Sequence, residues 1–135
     1  MTADTFVLDT SALTAFMDGE PGADLVEKIL ESENAVYLPW PVLLEIYYTT
    51  IRKRGEKEAE RRYALTKRLP VKIIWTVDEA NVLIAARYKS KYRLSFADSL
   101  IAAIAFQKKA ILIHKDPEFE ALLGQLEMEA LPYKT

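Results

Sequence analysis

Short apolar runs at residues 5–8, 35–38, 71–75 and 110–113 punctuate this chain, and the segments between them carry apolar residues at helical spacing. A fifth run at 128–131 closes the series. Strands that alternate with helices are joined by crossovers rather than hairpins, so they lie parallel, and the crossing helices cover the sheet. The expected fold class is therefore α/β: three layers, with a mainly parallel central sheet and helices on both faces. The chain has 135 residues, enough to bury one core unaided, and it shows no repeat, linker or low-complexity segment. Residues 1–135 are read as a single domain.

Local signals sharpen the outline. Ser11 is placed to cap the first helix, which ends near Gly19. Pro21 and Gly22 open the second, with Leu25, Val26, Ile29 and Leu30 on one face. Pro41 suits the first turn of the third, where a missing N–H costs nothing, and Gly55 stops it. The fourth, 56–68, has its acidic residues first and its basic ones last, an order that suits the helix dipole. The fifth, 77–92, carries Ala80, Leu83, Ile84 and Tyr88 as its apolar face. The sixth, starting at 94–99, is apolar enough to lie centrally buried.

Composition narrows the chemistry. With no cysteine, disulfides and thiolate metal sites are excluded. Asp4 precedes the first apolar run and no basic segment does, which is unlike a secretory signal, and no uncharged stretch approaches the ~18 residues that span a bilayer. A cytoplasmic protein without membrane partners is expected. The net charge of -2 conceals an asymmetry: residues 52–93 hold thirteen Lys and Arg against five Asp and Glu. A basic middle of this kind is what nucleic-acid binding needs, and Arg52, Lys53, Arg54, Arg61 and Arg62 are its candidate nucleic-acid contacts.

Four carboxylates stand out. Asp9 ends the first strand and Asp116 follows the fourth, so both emerge at the edge of a parallel sheet where ligands bind. Glu45 lies among Leu43, Leu44, Ile46, Tyr47 and Tyr48, and an ionised carboxylate in such company is costly unless something positive satisfies it. Asp98 begins the buried helix, three residues after Ser95. Each has an ordinary structural use: a turn for Asp9, an ion pair for Glu45, a capping box for Asp98, an N-cap before Pro117 for Asp116. Taken together, carboxylates brought close raise one another's pKa, a penalty that a hard divalent cation removes. Oxygen-only ligands point to Mg2+ or Mn2+ rather than zinc. Ser11 is a further candidate, for orienting a coordinated water. His114 reads as a strand-end residue hydrogen-bonded to a neighbour.

The segments Val7-Leu8-Asp9-Thr10-Ser11-Ala12-Leu13, Glu45 in its apolar helix, Ser95-Phe96-Ala97-Asp98-Ser99-Leu100-Ile101-Ala102-Ala103 and Asp116-Pro117-Glu118-Phe119 follow one another as in a PIN domain. The sequence resembles that family over essentially its whole length, specifically the VapC-type toxin ribonucleases of toxin–antitoxin pairs. The resemblance implies a PIN-like fold and a metal-dependent endoribonuclease with Asp9, Glu45, Asp98 and Asp116 as its acidic site, Asp9 and Asp98 being the firmest metal ligands. It also implies an RNA substrate, a cognate antitoxin protein and a homodimer. The family usually has Ser or Thr where this chain has His114, a departure beside Asp116.

Other classes fit less well. Haloacid-dehalogenase phosphatases need a second Asp two residues after the first, where this chain has Ser11, and a receiver domain needs an acidic pair that Asp9-Thr10 does not supply. The alternatives are a nuclease acting outside a toxin–antitoxin pair, and a catalytically silent PIN-like module that binds RNA or protein. A pure binder gains nothing from crowding four carboxylates where phosphate must lie.

Overall fold

A computed structural model describes residues 4–134. The elements run β1 (Thr5–Leu8), α1 (Thr10–Asp18), α2 (Ala23–Glu31), β2 (Ala35–Pro39), α3 (Trp40–Arg54), α4 (Glu56–Arg68), β3 (Lys72–Ile74), α5 (Glu79–Lys91), α6 (Phe96–Gln107), β4 (Ile111–His114), a 3-10 turn (Pro117–Leu122) and β5 (Met128–Ala130). All strand pairings are parallel, in the order β3-β2-β1-β4-β5. This is the α/β architecture expected from the alternation.

The strand order locates the site. From β1 the chain steps outward to β2 and β3, then returns across the sheet to β4 and β5 on the other side. α1 and α2 cross from β1 to β2, α3 and α4 from β2 to β3, and α5 and α6 from β3 back to β4. The direction of winding reverses between β1 and β4, and a crevice opens at the carboxyl ends of strands at such a switch point. Both central strands are covered on both faces: Val7, Leu8, Leu112 and Ile113 have no exposed surface, which is why they read as continuous apolar runs rather than alternating ones. Ile101, Ala102, Ile104 and Ala105 of α6 pack into the same core. The small residues let the helix approach the sheet closely.

Two local expectations are corrected. The N-cap of α1 is Asp9, whose carboxylate accepts the Ala12 N–H, while Ser11 sits inside the first turn. In α5 the buried face is Asn81, Ala85 and Tyr88, and Leu83 is exposed. Asn81 turns inward because its amide donates to Gln107 of α6 at 2.9 Å. A polar anchor rotated the helix away from its most apolar stripe.

Gly22 ties the far end of the sheet to α2. Its φ is 102°, and a Cβ added there would lie 2.9 Å from the Leu131 Cβ. Leu131 is buried, held by its N–H to the His114 carbonyl at 2.7 Å. Gly22→Ala is expected to cost about 1–3 kcal/mol through backbone strain and overpacking, lowering Tm by roughly 3–10 °C in thermal unfolding. An unchanged Tm would show that this contact yields freely.

Candidate active site

Asp9 reaches the crevice because β1 ends one residue before it, and its own N–H is still bonded to the Ile113 carbonyl of β4 at 3.1 Å. The carboxylate is buried. It accepts from the Ala12 N–H at 2.7 Å, and the Ser11 hydroxyl donates to it, lying 2.8 and 2.7 Å from its two oxygens. The Lys115 N–H in turn donates to the Ser11 oxygen at 2.8 Å. Ser11 thereby fastens the end of β1 to the end of β4 and fixes the angle of the Asp9 carboxylate.

The other carboxylates arrive from separate elements. Glu45 is in the second turn of α3, half-buried rather than enclosed, and accepts a hydrogen bond from the Thr10 hydroxyl. Asp98 occupies the first turn of α6, whose N-cap is Ser95; the Ser95 hydroxyl accepts the Asp98 N–H at 3.1 Å. Asp116 caps the 3-10 turn after β4, accepting from the Glu118 N–H at 3.0 Å, and its own N–H donates to the His114 Nδ1 at 3.2 Å. Asp9, Glu45, Asp98 and Asp116 line one cleft of about 440 Å³, together with Ser11, Thr10, Thr14 and Glu20. Its remaining walls are Lys115, Pro117, Tyr133 and Lys134.

Electrostatically the cleft is unbalanced. Among the described residues no Lys, Arg or His pairs with any of these four carboxylates. Lys115, though buried in the cleft wall, spends its ammonium on the Pro21 carbonyl at 2.9 Å and on Glu20 at 3.4 Å. Burial pushes the Asp9 carboxyl up to about 8, opposed by the bonds from Ala12 and Ser11 and reinforced by the charges of Asp98 and Asp116. Burial likewise raises Asp98 to about 7, with Asp116 and Glu45 adding to it. His114 is pushed below its usual value by burial. With its Nδ1 accepting from Asp116, its proton sits on Nε2.

The donor set fits a hard cation. Asp98, Asp116 and Glu118 each offer an oxygen, and these lie within 4.8 Å of one another, within reach of one ion. Glu118 is an addition to the expected set, brought beside Asp98 and Asp116 by the 3-10 turn. A clustered, uncompensated group of carboxylates is what a divalent ion would relieve.

The PIN domain family model matches residues 6–123. The chain belongs to the PIN domain family. Solved structures similar to this PIN domain include VapBC2 from Rickettsia felis bound to a promoter DNA fragment, at 15% identity and TM-score 0.77, covering 95% of this chain and 99% of that one. VapBC-1 from nontypeable Haemophilus influenzae is 17% identical with TM-score 0.73, covering 93% and 97%. The Mycobacterium tuberculosis toxin VapC20, which cleaves the sarcin-ricin loop, is 18% identical with TM-score 0.73, covering 94% and 99%. At these identities the likeness is one of fold. A search of curated proteins gives no match.

The basic residues of this PIN domain behave differently from the carboxylates. None of Arg52, Lys53, Arg54, Arg61 and Arg62 lines the cleft. Arg62 is buried, with its guanidinium on Asp18 at 2.6 Å and near Glu58 at 3.5 Å, so it is a structural ion pair and not a phosphate contact. Arg61 pairs with Glu58 at 2.6 Å while remaining exposed, and Arg54 lies 3.7 Å from Asp18. Arg52 covers the Tyr48 ring at 5.0 Å. Charge counting marks the region but not which guanidinium is free.

Proposed function

We propose that this PIN domain is a Mg2+- or Mn2+-dependent endoribonuclease, the toxin of a type II toxin–antitoxin pair. The observation that carries the reading is the cleft itself: Asp9, Glu45, Asp98 and Asp116, from four separate elements, meet at the switch point with no cationic partner among the described residues. Asp98 and Asp116 would hold the ion together with Glu118, and Asp9 and Glu45, which line the same cleft, would complete its ligand set. The ion, when bound, supplies Lewis acidity toward a phosphate oxygen and lowers the pKa of a coordinated water. Ser11 keeps Asp9 oriented for binding, and Thr10 does the same for Glu45. Arg52, Lys53, Arg54 and Arg61 stand outside the cleft as the electrostatic approach for a polyanion.

Protein partners are part of this reading. The α3 face carries Leu44, Tyr48 and Ile51 exposed at helical spacing, an apolar stripe that supports docking of an antitoxin or of a second copy in a homodimer. The VapBC complexes among the similar folds support the antitoxin. No helix among the described residues is long and apolar enough to cross a membrane, and the proposed setting is the cytoplasm.

The test is cleavage of single-stranded and structured RNA by the purified protein with Mg2+ or Mn2+. The products are expected to carry 5'-phosphate and 3'-hydroxyl ends, and a 2'-deoxy substitution at the scissile position should leave cleavage intact, because water rather than the 2'-hydroxyl attacks. Cleavage blocked by that substitution contradicts the route; no cleavage with either metal contradicts the assignment.

A further inference from the structure

The segment after β5 brings a residue to the cleft that none of the four carboxylates explains. Leu131 is pinned against Gly22 and bonded to His114, and Lys134 pairs with Glu20 at 3.2 Å, so Tyr133 is held from both sides. Its ring lies 6.2 Å from the His114 ring at an interplanar angle of 33°, and His114 packs on Phe119 at 5.1 Å. Phe119 and His114 are buried, whereas Tyr133 is half-exposed and lines the cleft with Asp9, Asp98 and Asp116. An aromatic column therefore rises from the core and ends at the lip of the acidic site.

We propose that Tyr133 is the stacking platform for the nucleobase next to the scissile phosphate of a single-stranded RNA. The inference rests on the nuclease reading and adds a substrate contact to it. The cleft offers a nucleotide little positive charge: Lys115 is buried and committed to Glu20 and Pro21, and the exposed Lys134 is the one other cation on its described walls, 3.2 Å from Glu20. Affinity close to the carboxylates must come from a contact that negative charge does not oppose. A π-face supplies it, since stacking is available to every base and needs no counter-charge.

The experiment uses the Asp9→Asn protein with Mg2+ and a short unstructured fluorescein-labelled RNA, followed by anisotropy. Tyr133→Ala and Tyr133→Leu should each weaken binding roughly tenfold, and Tyr133→Phe should bind as the parent does. The Leu variant keeps bulk against His114, so loss of binding there reports the ring and not a loosened fold. An abasic site at the stacked nucleotide should weaken the parent to the level of Tyr133→Ala and leave Tyr133→Ala itself unaffected. Equal binding by the parent and both aliphatic variants overturns the platform, as does absence of RNA binding by the parent. Cleavage by the unmutated protein, assayed alongside, separates the two readings: cleavage with no effect at Tyr133 removes the platform alone. Weakened binding at Tyr133 with no cleavage by the unmutated protein overturns the nuclease reading, and with it the placement of the stacked base beside a scissile phosphate.

Discussion

Asp9→Asn is expected to abolish metal-dependent RNA cleavage, by at least about 10³-fold in kcat/KM, while making the metal-free protein more stable. The two effects have one origin. The Asp9 carboxyl, buried and facing Asp98 and Asp116, is raised to about 8, so near neutral pH the fold carries an acid held far from its preferred state. Asparagine keeps the α1 cap, because its amide oxygen accepts the Ala12 N–H as the carboxylate does. Its NH2 faces the Ser11 oxygen, which lies 2.7 Å from the Asp9 Oδ2 and can turn from donor to acceptor. The burial and repulsion disappear, a gain of about 2–4 kcal/mol at neutral pH, since each tenfold change in proton affinity is worth ~1.4 kcal/mol. Activity falls because a neutral amide is a poor ligand for a hard cation and nothing else in the cleft replaces the lost charge. Steady-state cleavage and thermal unfolding in EDTA, run on the same two proteins, check both halves. A variant that is both inactive and less stable would mean that Asp9 mainly holds the fold.

The second large effect is a pH dependence that metal erases. Asp9 and Asp98 both have folded-state values above the ordinary carboxylate value of 3.8, about 8 and about 7. Between those values and 3.8 the folded protein holds protons that the unfolded chain has released, so stability falls as pH rises. In EDTA the contribution is complete below about pH 4 and is lost through pH 7 to 8. Metal binding must expel these protons, so affinity for Mg2+ or Mn2+ should tighten over the same interval, and saturating metal should flatten the curve. Tm measured from about pH 5 to about pH 8, with and without metal, reads this directly. A metal-free Tm that climbs toward pH 8, or one that Asp9→Asn follows unchanged, contradicts it.

What could be read from the chain divides along physical lines. The strands β1 and β4 were legible because burial on both faces makes their cores continuously apolar, and the breaks at Gly19 and Gly55 are written in backbone preferences. The meeting of Asp9 with Asp116 follows from strand order, and that of Asp98 with both follows from a helix that must start where the strands end. Asp9 and Ser11 were harder to assign, since either can cap a helix; the structure gives the cap to Asp9 and makes Ser11 its clamp. Leu83 misleads because periodicity counts apolar atoms and does not see the Asn81 to Gln107 bond that turns α5.

Lys115 and Tyr133 carry no signal at all, and Glu118 reads only as part of the segment after Asp116. Lys115 enters the cleft through the pairing of β4 with β1 and Tyr133 through the Gly22–Leu131 contact, while the 3-10 turn brings Glu118 beside Asp98, each a consequence of packing. Arg62 shows the opposite error: it lies in the most basic stretch, yet Asp18, 44 residues away in sequence, takes its charge.

The central claim is that the four carboxylates share a divalent cation, and calorimetric titration of Mn2+ into metal-free protein tests it most directly. The account predicts saturable binding with proton release that grows as pH falls from 8 toward 6, and at least tenfold weaker binding in Asp9→Asn and in Asp98→Asn. Binding of equal strength in all three proteins, or heat without proton release, would place the ion elsewhere and contradict it.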